Sequence, residues 1–152
     1  MATDDRFEFW AAVLFAVGAG ISILIALSYF VDVEERSPAG AIAIGHAVAV
    51  AALLLIAMRG LGAETGWARP FAVVVLVLMV VEGALRFGVG LVDQRIDVPI
   101  LGIAALVVLA LRRGPILAAG PSARDRWTLA ILVAVAIALW TWGAVLGPLL
   151  LA

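Results

Sequence analysis

The sequence predicts an all-α, polytopic membrane protein, a compact bundle of five transmembrane helices that forms one domain over residues 1–152. Of the 152 residues, 66% are hydrophobic, and the mean hydropathy is +1.21. Soluble domains are about 45–50% apolar, and so short a chain has too little interior to hide this much apolar surface from water. The charged residues fall between long apolar runs, a pattern that is typical of helices in lipid.

Five apolar segments follow one another along the chain, at about residues 9–31, 39–58, 70–92, 98–111 and 127–150. A helix that crosses a bilayer needs about 20 residues, and the first, second, third and fifth segments reach this length. The fourth segment is shorter. The alternative arrangement is therefore four spans with a re-entrant fourth segment.

The arginines predict the orientation of the bundle. With five spans, seven of the ten basic residues fall on one side: Arg6, Arg59, Arg69, Arg112, Arg113, Arg124 and Arg126. Basic residues concentrate in cytoplasmic loops, so we expect a multi-pass protein of the cell membrane with a cytoplasmic N-terminus and an external C-terminus. Four spans would weaken this asymmetry, which favours five.

Small residues repeat at four-residue spacing in the second segment, at Ala39, Ala43, Ala47 and Ala51. Helices in lipid associate through close backbone approach, which such stripes permit. The general interpretation is tight packing inside one bundle. The more specific one is a contact with another membrane chain or with a copy of this one.

A carboxylate and a guanidinium lie within the third apolar segment. Glu82 is twelve residues beyond Pro70, about 18 Å along a helix, which places it just past the middle of a core about 30 Å thick. Arg86 follows one turn later, in the order that favours an ion pair. This pair is either an internal clasp that fixes helix register or a site for a proton, an ion or a polar headgroup, since ionisable residues in a membrane are usually functional.

His46 is the one histidine of the sequence, and we expect it at about the level of Glu82 and at the edge of the alanine stripe. It is either a hydrogen-bonded structural residue or a titrating partner of Glu82, because histidine changes charge near neutral pH. Three residues thus form the candidate polar site: Glu82, Arg86 and His46. Beyond it, Asp93, Arg95 and Asp97 form a charged outer turn, which is either a solvated loop or an extension of the site.

These features predict a non-catalytic subunit or scaffold of a larger or homo-oligomeric membrane complex, with lipid and other membrane chains as partners. The alternative is a small channel or proton-linked transporter that uses Glu82, Arg86 and His46. A quinone- or haem-associated redox subunit ranks third. No enzyme motif, cysteine or basic footprint for nucleic acid occurs in the sequence, so we expect no catalytic residues, metal or cofactor.

Overall fold

The computed structural model describes residues 3–31, 38–63, 65–88 and 122–143. These residues form four α-helices and no strand: α1 (Thr3–Val31), α2 (Pro38–Gly62), α3 (Ala68–Gly88) and α4 (Ala123–Thr141). A π-helical turn at 142–143 follows α4. The all-α prediction is confirmed for this part of the chain. The short segment predicted at 98–111 lies outside the described residues, and the five-span count stays a prediction.

One helix in the described part is long and apolar enough to cross a membrane, the stretch Gly40–Gly62 of α2. A shorter apolar stretch, Phe9–Leu24, lies in α1. By length and composition, the structure therefore gives weak support for membrane association through α2. The multi-pass arrangement and the orientation of the termini stay predictions.

The helices begin and end differently from the predicted spans. α2 continues four residues past the predicted end at residue 58, because Arg59 and Gly60 do not stop it. α3 begins at Ala68, so that Pro70 lies within the first turn, where backbone N–H groups have no intrahelical partner for a proline to remove. α4 begins at Ala123, four residues before the predicted span, because Ser122 caps it.

Two contacts fix the relative directions of α2, α3 and α4. A Cβ atom on Gly60 would lie 2.9 Å from the Cβ of Ala68, so α2 and α3 form a tight antiparallel hairpin. A Cβ atom on Gly66, in the turn between them, would lie 3.1 Å from Asp125 Oδ2. The N-terminus of α4 therefore lies at the end of the bundle that holds this turn, and α4 runs parallel to α3.

The core is built from aliphatic and aromatic side chains of all four helices, and its largest fully buried members are Phe71, Leu53 and Val75. α1 packs closely on α2, since a Cβ atom on Gly18 would lie 3.3 Å from Leu54 Cδ1. The outer faces of the helices are apolar as well. Large exposed side chains on them include Trp10, Leu24, Val48, Val77, Trp127 and Ile131.

Candidate functional site

Largely buried side chains of α2, α3 and α4 meet at one depth along the bundle, the depth of His46. On α2, the buried row Leu61, Ala57, Leu53 and Val50 continues to His46. His46 lies sixteen residues before the end of α2 at Gly62, about 24 Å along the helix. Our prediction placed it at the edge of the packed seam. The structure places it on the buried row of α2, whose members follow the three- and four-residue spacing of the core.

Glu82 reaches the same level from α3. It lies seven residues after the fully buried Val75, and a separation of seven residues keeps two side chains on nearly the same face of a helix. It is also fourteen residues from the start of α3 at Ala68, about 21 Å along the helix. Because α2 and α3 form a hairpin, similar distances from their shared turn bring His46 and Glu82 together.

The two side chains are in direct contact. His46 Nε2 lies 3.1 Å from Glu82 Oε1 and 3.1 Å from Oε2. The side chains are 9% and 13% exposed, respectively. A hydrogen bond that involves an ionised partner is stronger than a neutral one, and a low-dielectric surrounding strengthens it further. This contact, the His46–Glu82 pair, joins α2 to α3 across the bundle.

Helix α4 covers the other side of the imidazole. The rings of His46 and Trp140 meet edge to face, with centroids 5.6 Å apart and an interplanar angle of 90°. Gly143 packs against the same ring, and a Cβ atom there would overlap His46 Nδ1. One residue before His46, a Cβ atom on Gly45 would lie 3.0 Å from Trp142 Cη2. The close approach of α2 and α4 therefore depends on Gly45 and Gly143.

Two buried polar atoms at this level have no hydrogen-bond partner within the described part of the chain. They are His46 Nδ1 and Trp140 Nε1, on side chains that belong to residues 7% and 5% exposed. Buried polar groups are nearly always hydrogen-bonded, and one without a partner costs stability. The site is thus satisfied on the side of Glu82 and unsatisfied on the side of α4.

The remaining predicted site residues are placed less completely. Arg86 belongs to α3, one turn beyond Glu82, and its side chain is outside the described part, as are Asp93, Arg95 and Asp97. The predicted packing stripe is only partly described. Ala51 is buried in the core, Ala43 and Ala47 are half-buried, and the side chain of Ala39 is not described.

The arrangement can hold a proton between an imidazole and a carboxylate. Among the described residues, no three of the side chains that commonly bind metals come together in one group. Iron in a haem needs an open imidazole nitrogen, but here Nε2 faces Glu82 and Nδ1 faces Gly143. Trp140 and Gly143 did not feature in the predicted site. The signal that could have found them is the inward row on α4, which runs through Leu129, Leu132, Val133 and Ala136.

No protein-family model, no curated protein and no solved structure matches this chain. The function is therefore argued from the geometry of the described residues.

Proposed function

We propose that this chain is a multi-pass membrane protein that serves as a non-catalytic subunit of a membrane complex, packed against other membrane chains or copies of itself. The observation that carries the membrane part of this proposal is the distribution of polarity. The acid–imidazole pair His46–Glu82 is buried among helices, whereas Leu24, Trp127 and Ile131 are more than half exposed. Water disfavours such an arrangement, and lipid favours it.

The closed geometry of the pair supports a structural role. His46 and Glu82 contact each other from two helices, and Trp140 and Gly143 cover the imidazole from a third. Polar contacts between helices hold membrane bundles together. The connections that the sequence predicts between its apolar segments are short, and these segments contain few polar residues. The outer faces of the helices are therefore the surfaces that meet lipid or a partner chain.

The ends of the helices support the proposed orientation. Arg59 lies near the end of α2, and Arg69, Arg124 and Arg126 lie in the first turns of α3 and α4. These helix ends share one side of the bundle, which the positive-inside rule makes cytoplasmic. Five spans with a cytoplasmic N-terminus and an external C-terminus follow from this proposal.

Single cysteines test the topology, because the natural chain has none. Cysteines introduced as Ala63→Cys and Ser122→Cys occupy exposed positions at the arginine-rich end. In intact cells, a membrane-impermeant thiol reagent should leave both unlabelled, and it should label both once the cells are permeabilised. Labelling of either position in intact cells would overturn the proposed orientation.

Reconstituted liposomes separate the subunit from the second candidate, a small channel or proton-linked transporter that uses Glu82, Arg86 and His46. The His46–Glu82 contact is the observation that favours this candidate. A subunit without transport activity should give no proton flux above empty liposomes, and the double variant Glu82→Gln/Arg86→Met should stay folded and keep its oligomeric state. Proton flux that disappears in Glu82→Gln while oligomerisation is unchanged would decide for the transporter.

A further inference from the structure

We propose that the His46–Glu82 pair is a proton-binding site, and that His46 Nδ1 communicates its occupancy to Gly143, in the π-helical residues that follow α4. This inference goes beyond the subunit proposal and does not depend on it. It rests on the position of both imidazole nitrogens relative to two different helices. Nε2 faces the carboxylate on α3, and Nδ1 faces the backbone of Gly143 beyond α4.

The contact at Nε2 allows a small set of proton arrangements. Without the added proton, neutral imidazole donates its Nε2–H to the carboxylate of Glu82, the pair carries one negative charge, and Nδ1 holds a lone pair. One proton from water then gives either an imidazolium beside a carboxylate or a carboxylic acid that donates to Nε2. Both protonated forms have no net charge.

The two protonated forms share a hydrogen on Nδ1. In the imidazolium both nitrogens are N–H donors, and in the neutral ring that accepts from the carboxylic acid the hydrogen is on Nδ1. Whichever form is present, uptake of one proton converts His46 Nδ1 from an acceptor into a donor. The change from acceptor to donor therefore occurs at the ring nitrogen that faces α4, although the carboxylate that shares the added proton lies on α3.

Two observations connect this change at Nδ1 to α4 and the residues that follow it. Nδ1 has no hydrogen-bond partner in the described part of the chain, so a hydrogen there is a buried donor without an acceptor. At 142–143 the helix passes into π-helical residues, a feature that often marks functional positions. Gly143 packs directly on the ring, so a hydrogen on Nδ1 favours a shift of the ring or of this backbone toward an arrangement that supplies an acceptor.

The charged groups that the structure describes around the ring come from two helices. Within the described part, Glu82 is the titratable group that contacts His46 from α3, and Arg86 lies one turn further along that helix. The residues that cover the ring from α4, Trp140 and Gly143, do not titrate. On α2 itself, Arg59 is thirteen residues away, about 20 Å along the helix.

The single histidine allows a direct test in the full chain. The protein is labelled with ¹⁵N-histidine, reconstituted in lipid nanodiscs, and followed by NMR over a series of pH values. We expect Nδ1 to pass from the range of a bare ring nitrogen to that of an N–H nitrogen as the pH falls. An Nδ1 signal that keeps its hydrogen, or never gains one, would overturn the proposal.

The response of α4 is measured in the same samples through the indole N–H signals of Trp140 and Trp142. We expect one or both to shift with the midpoint of the Nδ1 titration. Gly143→Ala, whose methyl group overlaps His46 Nδ1, should abolish this coincidence, whereas Gly20→Ala, which faces open space in α1, should preserve it. If neither indole signal of the natural protein shifts with the Nδ1 titration, the proposal is contradicted. This outcome does not depend on whether Gly143→Ala folds.

Discussion

Gly143 lies against the imidazole of His46 so closely that a Cβ atom on it would overlap Nδ1. The same ring contacts Glu82 through Nε2 and packs edge to face with the ring of Trp140. A single histidine thereby joins three helices, with a charge contact on one side and a close backbone approach on the other. The stability of the described bundle should depend on both sides of this ring.

The close approach of Gly143 predicts that Gly143→Ala destabilises the protein. Because the methyl group meets the ring of His46 rather than the end of a flexible chain, the helix or the imidazole must shift, and overpacking of this kind costs about 1–3 kcal/mol. The free energy of unfolding in mixed detergent micelles measures the effect. Gly20→Ala, with no neighbour within 4 Å, is the matched control and should stabilise the protein by about 0.5–1 kcal/mol.

The His46–Glu82 pair predicts strong coupling between the two residues. Glu82→Met takes away the carboxylate that His46 contacts, and His46→Leu takes away the imidazole that Glu82 contacts; loss of a buried polar contact of this kind costs about 1–3 kcal/mol. The double variant removes both groups, and apolar replacement of a buried pair is often close to neutral. A double-mutant cycle on the unfolding free energy should therefore show a double variant far more stable than the sum of the single effects. Additive losses would mean that the contact contributes little.

The level of the site along the bundle could be predicted from the sequence, because residue counts set depth on a helix. Glu82 was expected just past the middle of its helix and His46 at about the same level, and the structure brings the two side chains into contact. Which face of the helix is buried depends on packing between helices, which the sequence does not give. His46 was expected at the edge of the alanine stripe, and the structure places it on the buried row of α2. The inward row on α4 could have placed Gly143 on the packed face, but the spacing alone does not indicate that it faces His46.

The ends of the helices show the same limit. Arg59 and Gly60 suggested a stop, since glycine is common just after helices, yet α2 continues to Gly62. The reason is tertiary: a Cβ atom on Gly60 would lie 2.5 Å from Trp67 Cη2 and 2.9 Å from Ala68 Cβ. The indole of Trp67 occupies the space that a side chain at position 60 would need. The local sequence pattern does not show this contact.

This contact predicts that Gly60→Ala opens the α2–α3 hairpin. The methyl group meets both a ring and a backbone-linked Cβ atom, so we expect a loss of about 1–3 kcal/mol in unfolding free energy. The fluorescence of Trp67 should also shift toward that of a water-exposed indole. Gly62→Ala, two residues further on and without a neighbour within 4 Å, should change neither quantity in this direction. Equal behaviour of the two variants would show that the indole does not occupy the place of a Gly60 side chain.

Ser122 predicts the stability of the start of α4. Its hydroxyl oxygen accepts a hydrogen bond from the Asp125 backbone N–H at 3.1 Å, and its hydroxyl donates to Asp125 Oδ2 at 2.7 Å. Ser122→Ala removes both bonds, and loss of an N-cap costs about 1 kcal/mol. Because the cap is local and exposed, hydrogen exchange should accelerate at the amides of the first turn, near Asp125, while the amides around Ala136 keep their protection. Ser122→Thr keeps the hydroxyl and should exchange like the natural protein; acceleration throughout α4 in Ser122→Ala would mean that the cap supports the whole helix rather than its first turn.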